Sequence, residues 1–133
     1  MELKLALIGF GVVGQGLAKL LVDKKTQLKK KYGVTFKITA ISDFAKGAIL
    51  DPKGIDLKKA LKAVDSRKSL ETLKAKTKGL DAIKTIKQAE ADVVVEATFT
   101  DLKTGQPAIK HVEQAFKSKA HVVTCNKGPV ALA

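Results

Sequence analysis

The chain has 133 residues, 45% of them hydrophobic, which suits one compact domain with a single core. Its 25 basic and 13 acidic residues give a formal net charge of +12, but every basic residue except Arg67 is a lysine. Lysine lacks the planar fork that reads guanine edges, so the composition excludes a dedicated sequence-specific DNA reader and leaves a solvated lysine surface as the default. One cysteine, Cys125, excludes an internal disulfide and a multi-cysteine zinc site, and it suits a reducing cytoplasm. No run approaches the roughly 20 apolar residues of a membrane span or the h-region of a signal peptide, so a cytoplasmic protein is expected.

Residues Leu3 to Ile8 form an apolar run that ends in glycines, the pattern of a strand buried on both faces of a parallel sheet. Val13, Leu17, Leu20 and Leu21 then mark one helical stripe, and Lys29 to Lys31 followed by Gly33 supply a cationic last turn and a stop. Val34 to Ser42 alternates and is β-branched, which predicts a second strand and completes a βαβ unit. Asp56 reads as the N-cap of a helix carrying Leu57, Ala60, Leu61 and Val64, and two short helices are expected near Ser66 to Lys76 and Asp81 to Glu90. Asp92 to Thr98 is a third strand. Pro107 opens a helix with Ala108, Ile109, Val112, Ala115 and Phe116 on its apolar face, and His121 to Cys125 is a fourth strand. The alternation implies a Rossmann-like, doubly wound α/β sheet, mainly parallel, with helices on both faces of one domain over residues 1–133.

The first strand runs directly into Gly9-Phe10-Gly11-Val12-Val13-Gly14, a G-x-G-x-x-G at the point where a helix opens. Gly9 allows the tight turn, Gly11 has no Cβ to block a pyrophosphate, and Gly14 lets the helix approach the strand, while the helix amides face the anion. The alternative is a strand-to-helix turn that needs glycine only for its backbone. Asp43, at the end of the second strand, stands where a carboxylate hydrogen-bonds the ribose hydroxyls of NAD, or it merely caps the turn before Gly47. Lys46 could neutralise a 2′-phosphate, so NADP stays open beside NAD. The whole charge surplus lies between Lys19 and Lys87, where a solvated face and a region steering a phosphorylated ligand are both consistent with it.

Further segments make the sequence closely resemble the N-terminal half of homoserine dehydrogenase. They are Asp43 with Gly47-Ala48-Ile49, the stretch from Glu96-Ala97-Thr98 through Thr104-Gly105-Gln106-Pro107-Ala108, and Val122-Val123-Thr124-Cys125-Asn126-Lys127-Gly128-Pro129-Val130-Ala131. The resemblance implies an NAD(P)-binding domain of an enzyme that interconverts L-homoserine and L-aspartate 4-semialdehyde on the route to threonine and methionine. It places Thr98, Phe99 and Thr100 beside the nicotinamide ribose, Asn126 and Lys127 at the reacting end, and Lys127 at the position of a catalytic lysine. Where many relatives carry proline and asparagine, this sequence has Phe99 and Asp101. The family's substrate-binding and dimerisation region has no counterpart before Ala133, so the expectation is a domain that binds cofactor without turning over substrate, and a homodimer only with that region. A stand-alone NAD(P)-sensing module is the alternative.

An ammonium at Lys127 would stabilise charge on the substrate oxygen and supply its proton. In the reverse direction the amine must be neutral, which calls for burial or a second cation. Cys125 is expected to be an inert core thiol. His111, on a polar helix flank, and His121, at a strand start, lack ligand-spaced companions, so no metal is expected.

Overall fold

The computed structural model describes residues Met1–Ala133. Its chain order is β1 (Glu2–Ile8), α1 (Val12–Asp23), α2 (Lys25–Tyr32), β2 (Thr35–Asp43), β3 (Gly47–Leu50), α3 (Leu57–Asp65), β4 (Thr77–Lys78), α4 (Ala82–Gln88), β5 (Val93–Glu96), α5 (Ala108–Lys117), β6 (His121–Thr124) and α6 (Gly128–Leu132). The six strands form one sheet in the order β4-β3-β2-β1-β5-β6. β1 pairs in parallel with β2 and β5, and β5 in parallel with β6. The four expected strands are these parallel ones.

β1 is central, and its alternate residues feed two cores. Leu5 and Leu7 pack with Ile38, Phe10, Ala18 of α1 and Ala60 of α3. Ala6 and Ile8 pack on the other face with Val94, Ile86 of α4 and Ala115 of α5. A strand covered on both sides must be apolar throughout, which is why Leu5 to Ile8 shows no alternation. The layers are therefore helix, sheet, helix, and no helix is long and apolar enough to cross a membrane.

Several expectations need correction. The single long helix is two, because Lys24 (φ −99°, ψ 8°) interrupts it and α2, which has no buried residue, has no core contact to hold it in line. The sheet-facing residues of α1 are Gly14 and Ala18, with Leu17 and Leu21 beside them, whereas Val13 and Leu20 are 54% and 56% exposed. Small residues here let the helix axis approach the sheet, so the inward face is not the one with the largest side chains. β3 and β4 were not foreseen. Gly47, at φ +98°, lets the chain reverse after Phe44-Ala45-Lys46 so that β3 pairs antiparallel with β2, from Asp43↔Gly47 to Ala40↔Leu50.

The helix expected near Ser66 to Lys76 is only a 3-10 turn, Leu70–Thr72. Leu70 is its one fully buried side chain, and the backbone at Leu73 (φ −77°, ψ 151°) has already become extended toward β4. In α5 the buried residues are Ala108, Ile109, His111 and Ala115. Phe116 is 63% exposed, and His111 takes the inward place assigned to it. The Asp56 cap is observed as expected, its carboxylate accepting from Lys58 N (2.9 Å) and Lys59 N (3.3 Å).

Phe10 lies within the glycine-rich loop, yet its side chain is fully buried in the first core. Phe10→Ala should lower the unfolding free energy in urea by about 3–5 kcal/mol, as expected for emptying a buried aromatic site. A loss below about 1 kcal/mol would mean that the ring does not anchor the loop.

Candidate functional site

The expected site residues all follow the C-terminal ends of the parallel strands, where β1 has β2 on one side and β5 on the other. In an open α/β sheet this switch point is where loops diverge and leave a crevice. Gly9 (φ +97°) donates its N–H to Ser42 O at 2.7 Å, and a Cβ there would stand 2.5 Å from Ala97 O, against the backbone that leaves β5. A Cβ on Gly14 would collide with Gly9 O, so this second glycine brings the start of α1 onto the turn.

Gly11 differs from both. Its φ is −84°, which any residue can adopt, and a Cβ built there would meet nothing within 4 Å. Neither backbone strain nor a protein neighbour requires glycine at this position. The first turn of α1 also has no side-chain cap, whereas Asp56 caps α3 and Asp81 caps α4. The open space beside Gly11 and the uncapped amides of α1 fit an anionic group that approaches the backbone closely. Phe10 contributes only its backbone here. Val12, 91% exposed, and Val13 line the rim of the first turn.

At the end of β2 the Asp43 carboxylate accepts from three amides, Phe10 N (2.8 Å), Ala45 N (2.9 Å) and Lys46 N (3.0 Å). It therefore caps the β2–β3 turn and also braces the glycine-rich loop. Burial raises its pKa, but the three amide bonds and the Lys46 charge outweigh burial and hold it below the ordinary value. Asp43 lines a cleft of about 550 Å³ together with Glu71, Asp81, Thr98 and Phe99. No lysine or arginine lines it, so the lysine surplus does not converge on this cleft. A larger cavity of about 690 Å³, lined by Lys25, Lys37, Lys53 and Lys58, lies at the opposite, N-terminal end of the strands, among the first residues of β2 and away from the switch point.

At the ends of β5 and β6 the side chains gather around Glu96, which is fully buried. Thr98 Oγ1 donates to Glu96 Oε2 at 2.5 Å, His111 Nδ1 lies 2.9 Å from the same oxygen, and Asn126 Nδ2 donates to Glu96 Oε1. Asn126 Nδ2 also donates to Thr98 O at 2.9 Å. Burial raises the Glu96 pKa, but the bonds from His111 and Thr98, the charge of His111 and the bond from Asn126 reverse this and leave it below the ordinary value. Glu96 and His111 were not among the expected site residues. The usable signal was a carboxylate closing the apolar run DVVVE, where an unpartnered charge would be costly.

Phe99 is 83% exposed at the cleft. The Thr100 hydroxyl is buried without a hydrogen-bond partner, and its methyl faces Gly128, where a Cβ would stand 2.7 Å away. Asp101 accepts from Lys103 N and Thr104 N and so forms the turn that follows. Lys127, exposed, immediately precedes α6 and makes no ion pair, so the burial expected around its amine is not supplied by these residues. Cys125 is exposed, not a core thiol, because β6 is an edge strand with only one neighbour.

A family model described as the NAD-binding domain of homoserine dehydrogenase matches residues 9–133. The chain is 46% identical over 126 residues to a homoserine dehydrogenase of Methanocaldococcus jannaschii, covering 95% of this chain and 37% of that protein. It is 38% identical to an NAD(+)-dependent homoserine dehydrogenase of Pseudomonas canavaninivorans, covering 98% of this chain and 37% of that one. In fold it matches a mutant hyperthermophilic archaeal homoserine dehydrogenase in complex with NADPH, with TM-score 0.80, 22% identity, and coverage of 99% of this chain and 38% of that one. The chain thus spans little more than a third of the length of these relatives.

Asp43 and Glu96 both have folded-state pKa values below their ordinary ones. Each therefore contributes stability that is fully present above its unfolded value, about 3.9 for Asp and 4.3 for Glu, and is lost as pH falls through the folded value. Urea unfolding from pH 6 down to 2.5 should show stability falling below about pH 4, and Asp43→Asn should remove part of that slope. An unchanged slope in the variant would show that the amide bonds to Asp43 do not favour its ionised form.

Proposed function

The chain belongs to the family of homoserine dehydrogenase NAD-binding domains, and from that premise we propose that it is the cofactor-binding part of an enzyme interconverting L-homoserine and L-aspartate 4-semialdehyde. Substrate binding and dimerisation belong to a further region, in keeping with the share of its relatives that the chain spans. The observation that carries the reading is Gly11, whose missing side chain leaves open space that no protein atom uses. The Gly9–Gly14 backbone and the first turn of α1 hold the pyrophosphate. Thr98, Phe99 and Thr100 flank the nicotinamide ribose, and Asn126 and Lys127 stand at the reacting end. The single unpaired cysteine suits action in the cytoplasm.

At the adenosine end the cleft favours NAD over NADP. Asp43, Glu71 and Asp81 line it without a single lysine or arginine, so a ribose diol finds acceptors while a 2′-phosphate meets like charge. Lys46 supplies one positive charge near Asp43, already opposed by that carboxylate.

When bound, the nicotinamide group supplies or takes up the hydride. The chain's own contribution at that end is the Lys127 ammonium, which stabilises negative charge on the substrate oxygen and passes it a proton. In the oxidative direction the neutral amine receives the proton, and burial of Lys127 falls to the further region.

Calorimetry should show NAD(H) binding that Gly11→Val abolishes with the fold intact, since valine there strains no backbone and meets no protein atom. Unchanged affinity in a folded variant would remove the dinucleotide reading. Lys127→Ala should change NAD(H) affinity less than about threefold, under ~0.7 kcal/mol, because its charge acts on substrate oxygen in the transition state. In a chain that includes the further region, the same change should lower kcat by about two to four decades. Near-full turnover there would take catalysis away from Lys127.

A further inference from the structure

We propose that Glu96 is the positioning residue of the nicotinamide end: its buried carboxylate fixes the Asn126 side chain and thereby sets where the β6–α6 loop lies against the nicotinamide. The inference rests on reading that loop as the reacting end of the cofactor site.

Glu96 faces hydrogen-bond donors from three different parts of the chain. Asn126 Nδ2 and Thr98 N (3.4 Å) approach Oε1, and Thr98 Oγ1 and His111 Nδ1 approach Oε2. An ionised carboxylate is acceptor-only, so His111 carries its proton on Nδ1, and no neutral side chain of this size could accept from all four. The carboxylate thus joins the end of β5, the inward face of α5 and the loop after β6 at one buried point. Removing a single partner would leave a buried charge short of a donor.

Asn126 uses both of its amide hydrogens inward, one on Glu96 and one on Thr98 O. The residue after it is Lys127. Few other polar ties hold this stretch, among them Asn126 N to Thr124 Oγ1 (3.0 Å), a long Cys125 N to Glu96 O bond (3.4 Å) and Ala131 N to Lys127 O within α6. The Asn126 bonds to Glu96 and to Thr98 O are therefore the side-chain links that register the loop against the sheet, and Glu96 holds both of their ends, since it also binds Thr98. Because Thr98 is held by the same carboxylate, one group orients both loops that flank the nicotinamide.

The pairing allows a swap that a merely structural role would not answer to. Asn126→Asp sets a second carboxylate against Glu96. Adding Glu96→Gln removes that repulsion and restores a hydrogen bond between the two side chains, since the new amide keeps its oxygen toward Thr98 Oγ1 and His111 and turns its nitrogen toward the new carboxylate, although Thr98 O and Thr98 N lose their partners. Affinities for NADH and for ADP-ribose, which lacks the nicotinamide, are to be measured by calorimetry on the 133-residue chain. Asn126→Asp should weaken NADH at least tenfold and ADP-ribose less than threefold, and the double variant should recover part of that loss, binding NADH at least threefold more tightly than Asn126→Asp alone. Asn126→Ala, which adds no charge, should weaken NADH about fivefold with ADP-ribose unchanged, and it keeps the test open if Asn126→Asp does not fold. Equal losses for both ligands, NADH binding untouched by either Asn126 change, or a double variant no better than the single one would overturn the positioning role alone. Wild-type protein that binds neither ligand would overturn the cofactor reading together with it.

Discussion

The backbone of Gly9 lies so close to the carbonyl of Ala97 that no side chain can stand between them, and the arrangement of the candidate site follows from that contact. It lets the chain turn away from β1 immediately beside the end of β5, at the one place in the sheet where the strands on either side lead their connections to opposite faces. Gly14 adds a second close approach, seating the start of α1 on the Gly9 carbonyl. With these two contacts made, the loops after β1 and β2 are tied through Asp43, and those after β5 and β6 through Glu96, at the same end of the sheet. Gly11 lies between them with no such demand on it, so the protein's own packing explains two glycines of the fingerprint and leaves open space beside the third.

Two buried or half-buried carboxylates hold this crevice in shape. Asp43 links the β2–β3 turn to the amide of Phe10, and Glu96 links β5, α5 and the loop after β6. In each case burial disfavours the charge and the surrounding donors more than compensate, which keeps both groups ionised near neutral pH. Their partners are backbone amides and short polar side chains, whose geometry the fold fixes, and the one titratable side chain hydrogen-bonded to either is His111, on Glu96. Long flexible lysines take no part in bracing the loops. This divides the electrostatics of the molecule in two, a mobile cationic surface responsible for the net charge of +12 and a small set of fixed carboxylates at the site.

What the sequence by itself determined were the features that local chemistry dictates. The apolar run Leu3 to Ile8 had to be a doubly covered strand, the glycine spacing after it had to form a tight turn into a helix, and Asp56 had to cap the helix behind it. The T-G-Q-P-A and V-V-T-C-N-K-G-P segments were enough to name the family, because they combine turn residues and polar groups in an order that packing alone does not require. Tertiary structure decided what depends on partners distant in the chain. β3 and β4 are short and carry weak patterns, and they become strands only because the free edge of β2 offers unpaired backbone groups to β3, whose own outer edge then offers them to β4. The inward face of α1 is its small-residue face because the distance to the sheet is set by Gly14. The place of His111 was likewise undecidable from helical spacing: a histidine faces inward here only because Glu96, fifteen residues earlier and on another element, accepts a hydrogen bond from its Nδ1.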